Sequence, residues 1–477
     1  MDYKSKLALL IAPVLFSNAS FSGEISFENA WTLLQDKNSA IAAQRANVER
    51  YRQLEGAKSA LNYPSITLGA NYTRLDDDVT LSGNQIVESL DSTSAAALSS
   101  IVAQLSQMGL GAGLGSLNPT STIAEKDMFN SSIRAVWPIF TGGRITAAQE
   151  IAGGQTDEAV AHLKMETQAQ YEDLAKYYFS VVLANDVLKT RISVEKGLTK
   201  HRDFAVKLET QGQIARVERL QAEASLTKAT VDRKRSQKDV DIAISALTQI
   251  LNQDEKVYPE TSLFINEQLP PLSAFTDQTL TTYPGLSILD AKNKQASQLI
   301  VAEKGRYYPE VYLYGNYTLY EDDTLASEMA PNWLVGVGVS IPLIDTNGRS
   351  ETVQAAHSAV LQVNHLRQQA TRDLTVLVEK TYFEAEQAIE EVNGLNSSLD
   401  LAEENLSLRS KAFTQGLSTS LDVVDAELYL ASIKTQQQVA SFNYLISLNR
   451  LLALSSEMNS FSQYVSNASQ TVKSEDQ

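Results

Sequence analysis

The feature that most constrains this chain is that much of it is written twice. Gly56-Ala57-Lys58 and Tyr63-Pro64-Ser65-Ile66-Thr67-Leu68-Gly69-Ala70-Asn71-Tyr72-Thr73 are echoed 246 and 245 residues later by Ala302-Glu303-Lys304 and Tyr308-Pro309-Glu310-Val311-Tyr312-Leu313-Tyr314-Gly315-Asn316-Tyr317-Thr318. Trp137-Pro138-Ile139-Phe140-Thr141-Gly142-Gly143-Arg144 recurs as Ile341-Pro342-Leu343-Ile344 followed by Thr346-Asn347-Gly348-Arg349. Tyr178-Phe179 recurs as Tyr382-Phe383, and Gln211-Gly212 as Gln415-Gly416, each 204 residues on. Chance supplies one such match, whereas four in the same order are a duplication. The shortening from 245 to 204 places an insertion of about forty residues in the first copy, roughly Val79–Asp127, rich in Ser, Ala, Gly and Leu. Within it, Ser94–Leu105 has the composition of a short helix.

Each copy reads as helix, strand, loop, strand, long helix, turn, long helix. The first spans 20–255, with strands at about 66–75 and 129–137 and long helices at about 144–208 and 213–251. The second spans 281–455, with strands at about 311–320 and 332–341 and long helices at about 349–413 and 419–454. A linker, 256–280, joins them and a polar tail, 456–477, follows. Ser26–Leu61 and Pro284–Tyr307 have the composition and spacing of helices. In the strands the period is two, with Ile66, Leu68, Ala70 and Tyr72 on one face and Thr67, Gly69, Asn71 and Thr73 on the other. Pro64, Pro138, Pro309 and Pro342 are expected at the strand–helix junctions, because proline cannot continue a helix. The breaker-free stretches after each strand pair hold some 65 residues, a rod on the order of 100 Å at ~1.5 Å per residue.

Residues 1–19 carry Lys4 and Lys6, an apolar run Leu7–Phe16 and the small residues Ser17-Asn18-Ala19, a signal peptide with cleavage after Ala19 or, alternatively, after Ser22. A membrane helix needs about 20 apolar residues where roughly ten are present, so this segment is not an anchor. No later stretch is long and apolar enough to span a bilayer as a helix, so a membrane-crossing form must use β-strands. The absence of cysteine excludes disulfides, thiol catalysis and a lipid-bearing N-terminal Cys. A net charge of −17 disfavours nucleic acid as a partner.

Ten-residue alternating strands are long enough to cross a bilayer when tilted, and Tyr72, Trp137, Tyr317, Tyr320 and Trp333 lie near strand ends, where interfacial aromatic belts occur. Four strands cannot close a barrel, since the smallest membrane barrels use about eight. Such a chain must pool strands with copies of itself.

These residues resemble the TolC family of trimeric outer-membrane efflux proteins over essentially the whole mature chain. The likeness rests on the duplicated plan, the Tyr-Pro strand starts, the Pro-Ile/Leu-Phe/Ile…Gly-Arg strand ends, and Phe413-Thr414-Gln415-Gly416…Leu421-Asp422-Val423-Val424-Asp425-Ala426. The resemblance implies an α+β membrane protein: a homotrimer sharing a twelve-stranded β-barrel continuous with a long α-helical coiled-coil periplasmic tunnel. Residues 256–280 would lie in the tunnel's equatorial region. It further implies an unlipidated passive exit duct in the outer membrane of a Gram-negative bacterium, with a large periplasmic portion. The duct would serve a tripartite efflux or type I secretion system and conduct small molecules, several drugs among them. Its partners would be two further copies, a periplasmic adaptor (membrane fusion) protein, an inner-membrane pump and outer-membrane lipid.

Asp422 and Asp425, three residues apart, share a helical face, and three copies would ring the periplasmic aperture with six carboxylates that attract cations. Thr419 or Ser420 is equally suited to cap this helix, with acidic residues favoured in its first turn; the two roles are compatible. By resemblance, Glu218 and Phe413 occupy gate-lock positions, the latter in place of a tyrosine, while Ser418 stands where an arginine link is expected. Arg216 and Arg219 are the substitute partners for Asp422 or Asp425 of a neighbour. The turns Gln211-Gly212 and Gln415-Gly416-Leu417 form the hairpin tips, glycine permitting the reversal, and by resemblance meet the adaptor.

An exported hydrolase would need a nucleophile, an acid–base pair or a metal site. His162, His201, His357 and His365 fall in helical stretches without metal-ligand spacing and read as surface residues. No catalytic residue, metal or cofactor is therefore expected. A periplasmic coiled-coil scaffold or adaptor without its own pore is the alternative, and the Tyr-rich strand pairs count against it.

Overall fold

The computed structural model describes residues 23–82, 85, 88–89, 91–105, 107–108, 121–322, 327, 330–344, 346 and 348–471. The expected signal peptide and part of the insertion lie outside the described residues. In chain order the elements are β1 (Glu24–Ile25), α1 (Phe27–Lys37), α2 (Ser39–Ser59), β2 (Ser65–Arg74), β3 (Val79–Leu81), α3 (Ser92–Leu105), β4 (Ser121–Ala124), β5 (Asp127–Phe140), α4 (Arg144–Thr210) and α5 (Arg216–Ile250). There follow β6 (Tyr258–Pro259), β7 (Phe264–Ile265), α6 (Leu272–Thr282), α7 (Pro284–Gly305), β8 (Glu310–Glu321), β9 (Trp333–Ser340), α8 (Arg349–Thr414), α9 (Ser420–Leu454), α10 (Phe461–Ser466) and β10 (Gln470–Thr471). No described helix is long and apolar enough to cross a membrane.

The sequence duplication reappears as duplicated geometry. Helices α4 and α8 hold 67 and 66 residues, and α5 and α9 hold 35 each. Between the long helices both reversals place glycine at φ 73°, at Gly212 and Gly416. In each, the residue beyond the glycine donates back across the helix end, Gln213 N–H to the Leu208 carbonyl at 2.8 Å and Leu417 N–H to that of Ala412 at 2.9 Å. A side chain at a left-handed position is strained, which is why glycine recurs there.

Two compact units divide the chain. The first comprises Met1–Tyr51, Thr156–Lys292 and Val363–Gln477. Its core gathers Phe27, Trp31, Tyr171, Tyr178, Phe179, Phe264, Tyr444 and Phe461, all 5% exposed or less. The Tyr178 hydroxyl donates to the Ile25 carbonyl at 2.6 Å and accepts from the Glu260 and Thr261 amides, satisfying a buried polar group while tying the linker to β1. The helix expected over Ser26–Leu61 is broken at Asn38, whose backbone is extended (ψ 122°). Its side chain accepts from the Ile41 amide, so asparagine ends one helix and starts the next. In the tail read as polar, Phe461 lies in the core and β10 pairs with β7.

The second unit comprises Arg52–Gln155 and Asn293–Gln362. Its antiparallel sheet has the order β2-β5-β8-β9, leaving β2 and β9 as edges among the described residues. Register pairs Ile66 with Ala135, Leu68 with Ile133, Ile133 with Tyr317 and Tyr317 with Trp333 along one face. Three of the four prolines flank strands; Pro138 does not. It lies inside β5, opposite Tyr312, where the register shifts between Pro138 and Phe140. A bulge tolerates a residue with no N–H to give the ladder, so the junction is three residues later than proline alone suggests. The Gly-Arg pairs shape the exits from the sheet. Gly142 (φ 64°) packs against Gly305, Arg144 forms an ion pair with Glu310, and Arg349 donates to the Pro342 carbonyl.

Candidate functional site

At the hairpin tips of the first unit, the start of α9 is held from two directions. Thr419 is its N-cap: the side chain accepts from the Asp422 amide at 3.2 Å, and the Asp422 carboxylate accepts from the Thr419 amide at 2.9 Å, a complete capping box. Asp422 also accepts from Ser418 Oγ at 3.0 Å and lies 3.5 Å from Arg409. Hydrogen bonds from Thr419 and Ser418, with Arg409 nearby, hold its carboxyl below the usual carboxylate range. Asp425, one turn on, is exposed and makes no ion pair among the described residues.

The second hold comes from the other copy. Glu218, on α5, accepts from the Ser420 amide at 2.7 Å. Ser420 is fully buried, and its hydroxyl meets His201 Nε2 at 2.6 Å. The His201 ring lies 4.5 Å from that of Phe413, which is 2% exposed and packs with Ala205, Ala222 and Val423. Burial pushes the His201 pKa down, opposed by the Glu218 carboxylate, so the imidazole is neutral in the fold at neutral pH.

Of the residues expected to lock the tips, Glu218, Phe413 and Ser418 are therefore brought together about α9, within one chain. Arg219 is engaged on its own hairpin by Glu209 and Glu223. Arg216 is exposed and has no ion pair among the described residues. Gln211, Gly212, Gln415, Gly416 and Leu417 are exposed at the two reversals, Leu417 at 78%. The reading of the histidines as surface residues fails at His201, which is 6% exposed; His162, His357 and His365 are exposed.

In the second unit the two faces of the sheet differ in chemistry. One is apolar and open, with Ile66, Leu68, Val335, Val337 and Val339 each more than 60% exposed. A monomeric soluble protein rarely leaves so continuous an apolar face bare. Aromatic residues bound it at both ends, Tyr72, Phe129 and Tyr320 at one and Trp137 with Tyr63 and Tyr308 at the other, while Tyr317 and Trp333 stand level with Ile133 between them. Phe129 and Trp137 are eight residues apart on β5, about 27 Å at ~3.4 Å per residue, close to the ~25 Å apolar band of outer-membrane barrels. Polar groups pair with the strand ends, the Trp137 indole donating to the Asn62 carbonyl at 2.9 Å and the Tyr72 hydroxyl to Asp127 at 2.6 Å. The opposite face carries Thr67, Asn71, Asn130, Ser132, Arg134, Asn316 and Thr318 by register.

A protein-family model described as outer membrane efflux protein matches residues 32–253 and 276–456. The chain belongs to that family. Outer membrane protein TolC of Escherichia coli (strain K12) is 21% identical over 371 residues, covering 72% of this chain and 73% of TolC. Among solved structures, CusC superposes with a TM-score of 0.72 at 15% identity, covering 95% of this chain and 98% of CusC. The outer membrane protein VceC from Vibrio cholerae gives 0.69 at 13%, over 90% and 96%. The open-state MtrE outer membrane channel of Neisseria gonorrhoeae gives 0.63 at 19%, over 91% and 89%. This efflux protein is thus an outer-membrane protein with a large periplasmic portion and the fold of the family's channels. The family is one of channels, which accords with the lack of any catalytic constellation in the sequence.

Proposed function

We propose that this efflux protein is the outer-membrane exit duct of a tripartite efflux or type I secretion system. It passively conducts small molecules, drugs among them, delivered by an inner-membrane pump through a periplasmic adaptor. The single observation that carries the reading is the four-stranded sheet: membrane-length strands, one bare apolar face bounded by aromatics, and two unpaired edges. An open edge in lipid strands its N–H and C=O groups, so β2 of one copy pairs with β9 of the next, and three copies give twelve strands. The polar face then lines water.

The acidic tip is the gate in this reading. Asp422 is occupied with its own helix start, so Asp425 is the residue that presents an uncommitted carboxylate to the aperture, and Asp422 adds charge behind it. The exposed reversals at Gly212 and Gly416 receive the adaptor. Fractionation tests the duct: it should partition into outer membrane as heat-labile trimers that conduct in planar bilayers, whereas a soluble monomer would leave the scaffold reading. For the gate, Asp425→Ala should lower cation over anion permeability severalfold; unchanged reversal potentials would remove the assignment.

A further inference from the structure

The polar face of the sheet is not uniform. It holds a concavity of about 530 Å³ lined by Ser132, Arg134, Tyr314 and Asn316 towards one end and by Asn71, Asn130 and Glu321 at the other, where Glu321 pairs with Asn130. Register sets Arg134 opposite Thr67 on β2 and Asn316 on β8, three residues from Trp137 and five from Phe129, so it lies in the middle of β5. The basic residues nearer the strand ends are neutralised, Arg74 by Asp127 at 3.5 Å and Arg144 by Glu310. Arg134 makes no ion pair among the described residues.

Each of these features alone has an ordinary explanation; their coincidence does not. An unpaired guanidinium in the middle of a membrane-length sheet is tolerable only where water or an anion meets it. Beside it stand a hydroxyl and an amide able to share an anion's oxygens and a tyrosine ring fixed in place, since a Cβ at Gly336 would fall 2.6 Å from Tyr314. Guanidinium recognises carboxylate and phosphate in a planar, two-pronged way, and an aromatic face accepts the apolar body of the same molecule.

We propose that this hollow is a binding site for the anionic end of amphipathic cargo at its Arg134 end, with Arg134 the charged contact, the Ser132 hydroxyl and the Asn316 amide the polar ones and Tyr314 the apolar wall. The proposal rests on the exit-duct reading, in which this face lines the pore. Three copies then place three guanidinium groups at mid-barrel, so anionic cargo drawn past the acidic tip by the pump finds a compensating charge on its way out.

Benzoate and its neutral isostere benzamide separate charge from shape. In planar bilayers, millimolar benzoate added on the barrel side should block wild-type current, and benzamide should not. Arg134→Gln should raise the half-blocking concentration at least tenfold, and Arg134→Lys, which keeps the charge, less than threefold. Equal block of wild type and Arg134→Gln, or equal block by benzamide, would overturn the site. Calorimetric titration of benzoate into the full-length detergent-solubilised protein reads the site without a pore. Arg134-dependent heat from a protein that does not conduct would refute the duct and leave the hollow standing. Conducting channels with no Arg134-dependent binding or block would do the reverse.

Discussion

The two hairpin tips began as the same structure and now do different work. Glu218 and Asp422 stand 204 residues apart, each the third residue of its returning helix. Asp422 folds back and caps its own helix through Thr419. In the first copy the N-cap is Ala215, which has no side-chain acceptor, and Glu218 reaches instead to Ser420 of the second copy. The first tip therefore secures the second. The difference also sorts exposure: Ser420 is buried, whereas its counterpart Arg216 is exposed. A duplicated element can give up self-sufficiency at one copy when the other supplies the missing group.

The comparison breaks most visibly if the cross-copy bond is removed. Glu218→Ala leaves the buried Ser420 amide without an acceptor, a loss of about 1–3 kcal/mol, while the capping box on Asp422 is untouched. Amide exchange over residues 413–424 should speed roughly 5- to 100-fold, at the conversion of ~1.4 kcal/mol per decade, and peptides over 205–212 should change little. Exchange unchanged at Ser420 would mean that the second tip stands alone. Glu218→Gln, which keeps an acceptor, should fall between.

A second contact between the copies carries the next largest effect and a pH signature. The Glu427 carboxylate on α9 lies where a Cβ on Gly197 of α4 would be, 2.6 Å from that position. Burial pushes its pKa up to about 7, with Lys434 and Lys200 opposing. An acid whose pKa is raised in the fold stabilises fully below its unfolded value, and that contribution is lost as pH rises from about 4.3 through 7. Glu427→Gln should therefore stabilise the hairpin pair at pH 8 by on the order of 2 kcal/mol, after discounting for partial exposure, and by little at pH 4.5. His201 has the opposite sign. Its depressed pKa means that the unfolded tip takes up a proton first, so stability is complete above about 6.5 and declines as pH falls below it. Thermal melting followed at several pH values distinguishes the two: Glu427→Gln flattens the alkaline limb, and His201→Asn flattens the acid one. A pH profile whose slope Glu427→Gln leaves unchanged would contradict the first, and one that His201→Asn leaves unchanged the second.

What was legible in the sequence follows the range of the interactions concerned. The reversals at Gly212 and Gly416 and the alternating faces of β2 depend on residues a few positions apart, and both are visible in the chain as written. The insertion's short helix begins at Ser92, two residues before the composition suggested. His201 was misjudged because its neighbours Phe413 and Ser420 are more than two hundred residues away. One signal was available: the Ala, Leu and Phe residues near it recur at helical spacing, so its face was a packed one. Arg219 looked free for a neighbouring copy because Glu209, its nearer partner, lies across the turn. Tyr178-Phe179 and Tyr382-Phe383 match by letter, yet Phe179 is buried and Phe383 is 56% exposed. Letters record the duplication, and burial records what each copy has since become.

The smallest effect sharpens the comparison most. Ala215→Thr rebuilds at the first tip the pattern Thr-x-x-Glu, the sequence of a capping box, and so offers Glu218 a bond to its own helix. A new cap stabilises a helix start by about 0.5–2 kcal/mol, typically ~1. Releasing Ser420 costs about 1–3 kcal/mol, because its amide is buried and has no other acceptor among the described residues. Glu218 should therefore stay where it is, and the new hydroxyl should add only its own bond. Exchange over 215–219 should slow by a factor of two or three while that at Ser420 stays constant. Should protection instead pass from Ser420 to Glu218, the tips would be in near balance, and the hold of one copy on the other would be weak.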